Sequence, residues 1–375
     1  MSRRSNGSRR ALAKGAIAAS MLFGATQLSA EGLDPKLPLP ILTGRPPAFE
    51  RLPDAPAVAW QARLLEPLLA APLADQGALV VAHASGLVVD LDASGRTKRT
   101  VRAGSSLALG PVLLTGRRRL VVTGDAEAVL LLPSGRIEAR RKLPFRDVDA
   151  NALALATTDG GALLGSGARF ARLGATGSLT AGGSLRESLR GLFEWRGLSV
   201  LVERGGRVLG LGHAGDPYEL RNLGRPVRAC ELRGDRLYVL AGERELVELD
   251  LDKNAERTLF SDPPLVPRGI FILPNGELRI ASSSNVVVAL DAAGRETFRV
   301  AQPSSGGDST ITLLGDSRGS MLVATGGLDL RLVGESGDAL EIPGTACPDP
   351  LAPVPVSKSL VVASCRSGVL FGISG

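Results

Sequence analysis

Cysteine, histidine and clustered carboxylate are the side chains that most chemistry needs, and this 375-residue chain has few of them. Its three cysteines, Cys230, Cys347 and Cys365, are neither adjacent nor spaced as zinc ligands. Its two histidines, His83 and His213, stand far apart, and no Gly-x-Ser-x-Gly elbow lies beside either. Asp250-Leu251-Asp252-Lys253-Asn254 imitates the start of a calcium loop. Ala255 stands where that loop needs Gly, and Ser261 where it needs Glu. Asp252 and Asn254 fit a hairpin turn better. Arg117-Arg118-Arg119 and Arg140-Arg141 are the densest basic runs. On strands their charges would divide between two faces, which favours solvated edge charge over a nucleic-acid or lipid site. Aromatics make up 3% of the chain, too few for a platform that stacks single-stranded bases.

The formal charge of +6 has a local origin. Arg3, Arg4, Arg9, Arg10 and Lys14 all precede the uncharged run Gly15–Ala30, which ends in Leu28-Ser29-Ala30. A basic start, an apolar run and a small-residue site form an export signal. The run is shorter than the ~20 residues of a membrane span. Ser8-Arg9-Arg10-Ala11-Leu12-Ala13-Lys14 fits twin-arginine export, with ordinary Sec export equally open. No Cys lies near the cleavage site for a lipid anchor. Without residues 1–30 the balance is 39 basic against 38 acidic residues. Residues 31–56 hold seven prolines and are expected to form an extended linker.

From residue 57 the chain repeats. Apolar strands ending in small turns recur, as in Val88-Val89-Asp90-Leu91-Asp92-Ala93-Ser94-Gly95 and Val288-Ala289-Leu290-Asp291-Ala292-Ala293-Gly294. The turn residues fall at 95, 135, 177, 215, 254, 294, 337 and 375, with spacings between 38 and 43. Glycine suits a hairpin that requires positive φ, and Asn254 is the usual substitute. A period near 40 with several short strands per unit predicts a β-propeller. In the sixth unit the strands are expected at Gly269–Leu273, Glu277–Ser282, Asn285–Leu290 and Arg295–Val300. The last unit, from Ala352, has only three strands. The unpaired segment Ala57–Leu64, with Trp60 at its centre, supplies the fourth. Seven complete units and one shared unit make eight four-stranded blades over residues 57–375. The ring is closed by an N-terminal strand in the last blade, which leaves no open sheet edge at the seam. Almost no helix is expected.

Ala289-Leu290-Asp291-Ala292-Ala293-Gly294-Arg295-Glu296-Thr297-Phe298 resembles the quinoprotein-type (PQQ-like) repeat, in which the third strand ends in Ala-Leu-Asp and a Gly turn and the fourth carries Trp. Phe298 stands at the Trp position, and Trp60 takes it in the closing strand. The plan is similar to that of the BamB-like periplasmic propellers of outer-membrane protein assembly. That resemblance implies a periplasmic or surface protein that scaffolds envelope or outer-membrane proteins without a cofactor, as a single propeller. This chain differs in lacking a lipoprotein Cys.

Two other functions use the same fold. A quinone-dependent dehydrogenase would show adjacent cysteines and a Trp floor. Here the cysteines are separate, and Trp195 in the first strand of the fourth blade is read as packing. A calcium-dependent hydrolase would need a central Asn, Asp and Glu set, for which only Asn151 and Glu194 are candidates. A sensor that binds a small molecule or glycan in the central channel is a third possibility. No metal or cofactor ligand set is assigned.

The four-strand register puts the loops between blades, and the turns between second and third strands, on one face. Cys347, read as lying in the loop into blade eight, can therefore reach Cys365 at the end of that blade's second strand. An oxidising compartment would allow the bond. It would close a loop of 18 residues, contributing about 3 kcal/mol. Cys230 is expected to be a buried thiol. The same face carries the candidate protein-binding loops. One contains Phe145, Arg146 and Asp147. A second contains Asp262, Pro263, Pro264, Leu265 and Arg268. A third runs from Gly344 to Pro355.

Overall fold

A computed structural model describes residues 51–375 except 150–151, 213–214, 263–266, 283–284 and 304–310. The described strands form eight four-stranded antiparallel sheets. Blade one begins at Leu73 and blade two at Leu107; blade three runs from Leu153 to Ser184, blade four from Leu189 to Asn222 and blade five from Val227 to Ser261. Blade six occupies Pro267–Ile272, Leu278–Ser282, Val286–Leu290 and Glu296–Ala301, each within two residues of expectation. Blade seven spans Ile311 to Cys347, and blade eight begins at Pro350. Among the described residues the helical content is one short 3-10 turn, Thr115–Arg117.

The ring closes as the repeat count predicts. Ala57–Arg63 pairs antiparallel with Val369–Ser374, with Ala57 opposite Ser374 and Arg63 opposite Val369. Trp60 lies between two glycines. A Cβ on Gly95 would come within 2.6 Å of its ring, and one on Gly372 within 2.2 Å. The indole thus occupies space that any side chain at either position would fill, and it joins the closing strand to blade one.

Local chemistry explains the hairpins. The Asp92 carboxylate accepts N–H bonds from Ser94 and Arg96, and Asp291 does the same for Ala293 and Arg295. The turn then reverses at Gly95 (φ +78°) or Gly294 (φ +87°), and at Asn254 (φ +50°) in blade five.

Most of the core lies in and between blades. Second strands such as Ala78–Ala82 and Arg119–Thr123 are almost wholly buried, whereas the fourth strand Thr97–Arg102 is almost wholly exposed. First strands of neighbouring blades lie against one another, as in blades four, five and six. That places them innermost and fourth strands on the rim.

Three expectations are corrected. The segment from Gly344 to Pro355 is not a loop: Ala339–Cys347 and Pro350–Ser357 are strands joined by Pro348-Asp349. Cys347 accordingly ends the fourth strand of blade seven. The prolines are tolerated because Pro350–Ser357 is an inner edge strand whose register breaks between Leu351 and Val354, where Pro353 sits. Residues 51–56 are not free linker. Leu52 is buried against Leu314 and Leu322 of blade seven and Phe371 of blade eight. Arg119 is not solvated edge charge but a buried side chain. The expected export signal and residues 31–50 lie outside the described residues.

Candidate functional site

The turns between first and second strands gather on one face, here the hairpin face. The blades lock together there by polar contacts about one repeat apart. Asp75 of blade one accepts from Arg117 Nε at 2.8 Å and from Arg119 at 3.1 Å, and Arg119 also bonds Asp90. Burial pushes the Asp75 carboxyl up, but the two arginine bonds outweigh it and hold it below the usual carboxylate range. Glu194 accepts the Thr158 N–H at 2.7 Å. Asp235 accepts from Trp195 Nε1 and from Arg196, both at 2.8 Å, and these bonds lower its pKa. Arg279 donates to the Gly319 carbonyl at 3.0 Å. The candidate chemical residues Glu194 and Trp195 are thus engaged in joining blades.

Asp250 accepts from the N–H groups of Asp252 and Lys253. Those bonds make the segment a hairpin turn. His83 lies buried with Nδ1 3.1 Å from the Pro67 carbonyl, beside a small cleft at the ring closure lined by Arg63, Glu66 and Leu87. His213 and Asn151 fall outside the described residues. Among the described residues no group of three or more His, Cys, Asp or Glu is placed to hold a metal ion. No helix among them is long and apolar enough to cross a membrane.

The opposite, loop face carries the interblade loops. Cys347 and Cys365 form a disulfide there, with Cα atoms 5.8 Å apart and both side chains buried. It joins the rim strand of blade seven to the second strand of blade eight. Cys230 is a free, buried thiol whose pKa is raised by burial.

The candidate binding loops come out unevenly. Arg146 and Asp147 are exposed. Phe145 is not available to a partner. It is buried in a cluster with Leu109, Leu143 and Leu164, filling the space between blades two and three. A large apolar side chain flanked by charges can equally be an anchor that faces inward. Asp262 is partly buried and accepts from Arg299 at 2.7 Å. Pro263, Pro264 and Leu265 lie outside the described residues, and Arg268 falls within the first strand of blade six.

No known family model and no curated protein matches the chain in sequence. Solved structures do match in shape. BamB from Moraxella catarrhalis shares 15% identity and a TM-score of 0.68 over 86% of this chain and 100% of its own. Sqt1 from Saccharomyces cerevisiae shares 10% identity and a TM-score of 0.65, over 84% of this chain and 98% of its own. Virginiamycin B lyase from Staphylococcus aureus shares 14% identity and a TM-score of 0.55, over 72% and 96%. The chain is an eight-bladed propeller with a BamB-like fold. At these identities the likeness concerns the fold alone.

Proposed function

We propose that the chain is an exported, non-catalytic propeller that scaffolds proteins of the cell envelope, with the loop face as its binding surface. The observation that carries the reading is the disulfide from Cys347 to Cys365, which lies on that face and is a bond that an oxidising compartment favours. The three-part pattern of residues 1–30 agrees with it, and so does the BamB-like shape. A stiff ring that presents short loops such as the one bearing Arg146 and Asp147 loses little entropy when a partner docks. The near balance of charge after residue 30 gives no long-range pull toward nucleic acid.

The test is crosslinking of the tagged chain in intact cells, with fractionation and mass spectrometry. Recovery from the envelope fraction with a specific envelope protein is expected. Recovery in the cytoplasm with reduced cysteines, or alone in the envelope, would overturn the reading.

A further inference from the structure

Positive charge on the outer wall of the ring is concentrated in one place. The rim strand of blade one, Thr97–Arg102, carries Lys98, Arg99 and Arg102 and no acid. The rim strand of blade two, Ile137–Lys142, carries Arg140, Arg141 and Lys142 against Glu138 alone. Arg96 and Arg136, in the turns just before these strands, are exposed as well. Each of the other six rim strands has at most one basic residue, and Arg221, Arg257 and Arg299 each share their strand with an acid. Charge on an edge strand is a common defence against unwanted pairing. The other six rims manage that defence without a cluster of one sign, so it does not account for this one.

The two strands form one continuous surface. Arg99 Nη1 donates to the Pro133 carbonyl of blade two at 3.0 Å. Arg140 Nη2 donates to the Ala103 carbonyl, just after the rim of blade one, at 2.8 Å. A strand sends successive side chains to opposite faces, but on the rim both faces meet solvent, and every cation of the two strands is exposed. Carboxylates offset only part of this charge. Arg140 pairs with Glu127 at 2.7 Å, and Arg99 lies 3.8 Å from Asp90. Arg102, Arg141 and Lys142 donate instead to the backbone carbonyls of Ser85, Arg140 and Asp125. Asp92 and Asp125 act on Lys98 and Lys142 only at longer range. Neither strand exposes a large apolar side chain; those of the ring, such as Leu179 and Tyr218, stand on other blades.

We propose that the rims of blades one and two form a docking surface for a membrane of anionic phospholipid. A protein partner draws most of its affinity from buried aromatic or apolar anchors, and this wall offers none. A layer of headgroups needs only a broad array of solvated cations, each contributing through the surface potential. Guanidinium forks also match phosphate oxygens two bonds at a time. Contact through the rim stands the ring on edge and leaves the loop face open to proteins. The surface follows from the placement of charge and does not depend on the scaffold reading.

Flotation of the full-length protein with vesicles tests this, comparing pure phosphatidylcholine with equal parts of phosphatidylcholine and phosphatidylglycerol. Binding to the anionic vesicles alone is expected, and it should vanish at about 1 M salt, where charges are screened within about 3 Å. Lys98→Gln and Arg141→Gln should each weaken it about fivefold, and the pair about 25-fold. Lys253→Gln and Arg295→Gln, highly exposed on blades five and six, should leave it unchanged. The basic residues before position 15 are common to every variant, so differences between variants report the rim. An unchanged unfolding midpoint verifies that each variant folds, and Arg136→Gln replaces any that does not. No binding to the anionic vesicles, equal loss in rim and control variants, or tighter binding of duplex DNA at the same phosphate concentration would overturn the proposal.

Discussion

The backbone N–H of Leu52 donates to Oδ2 of Asp316 at 2.8 Å, joining residues 264 positions apart. Asp316 meanwhile uses Oδ1 to hold its own turn through the N–H groups of Arg318 and Ser320. One carboxylate therefore shapes the hairpin of blade seven and receives the chain just before it becomes the closing strand. Leu52 fills the space beneath, between blades seven and eight. Replacing Leu52 by Ala should lower the unfolding free energy by about 3 kcal/mol, as for other buried leucines. Urea denaturation followed by tryptophan fluorescence measures this, and a change below about 0.5 kcal/mol would mean that the segment does not pack there.

Trp60 offers a second handle on the seam. Its ring rests against Gly95 and Gly372. Trp60→Ala should cost about 3–5 kcal/mol. Hydrogen exchange should show the extra opening first in blade eight, because that blade alone is assembled from both ends of the chain. Uniform acceleration across all blades would contradict this picture.

The cysteines predict a labelling pattern. In the native, unreduced protein a thiol reagent should modify none of the three cysteines, since Cys230 is buried and burial disfavours its thiolate. After denaturation without reductant only Cys230 should react. Reduction should lower stability by about 3 kcal/mol. Labelling of Cys347 or Cys365 without reductant would exclude the disulfide.

Asp75 predicts the acid limb of stability. Its carboxyl titrates lower in the folded chain than in the unfolded one because Arg117 and Arg119 bind it. Its contribution is therefore complete above the unfolded value of about 4 and is lost as pH falls through the depressed folded value. Denaturant midpoints measured from pH 6 down to pH 2 should fall below about pH 4, and Asp75→Asn should flatten that fall. The variant should also lose stability at neutral pH, because Arg119 is left buried with one carboxylate fewer. An unchanged acid limb in Asp75→Asn would assign the effect to other carboxylates.

The blade count, the shared last blade and the hairpin turns could be read from residue order. Each depends on short-range rules, namely strand alternation, positive φ at turns such as Gly294, and a period near 40. Strand ends in blade six were accurate for the same reason. Contacts one repeat apart could not be read that way. Nothing local to Asp75 says that Arg119 will meet it, nor that Phe145 turns inward between blades while its charged neighbours face out. Folding into blades is determined by neighbours along the chain. The joining of blades and the seat of Leu52 arise only when the ring brings distant repeats together.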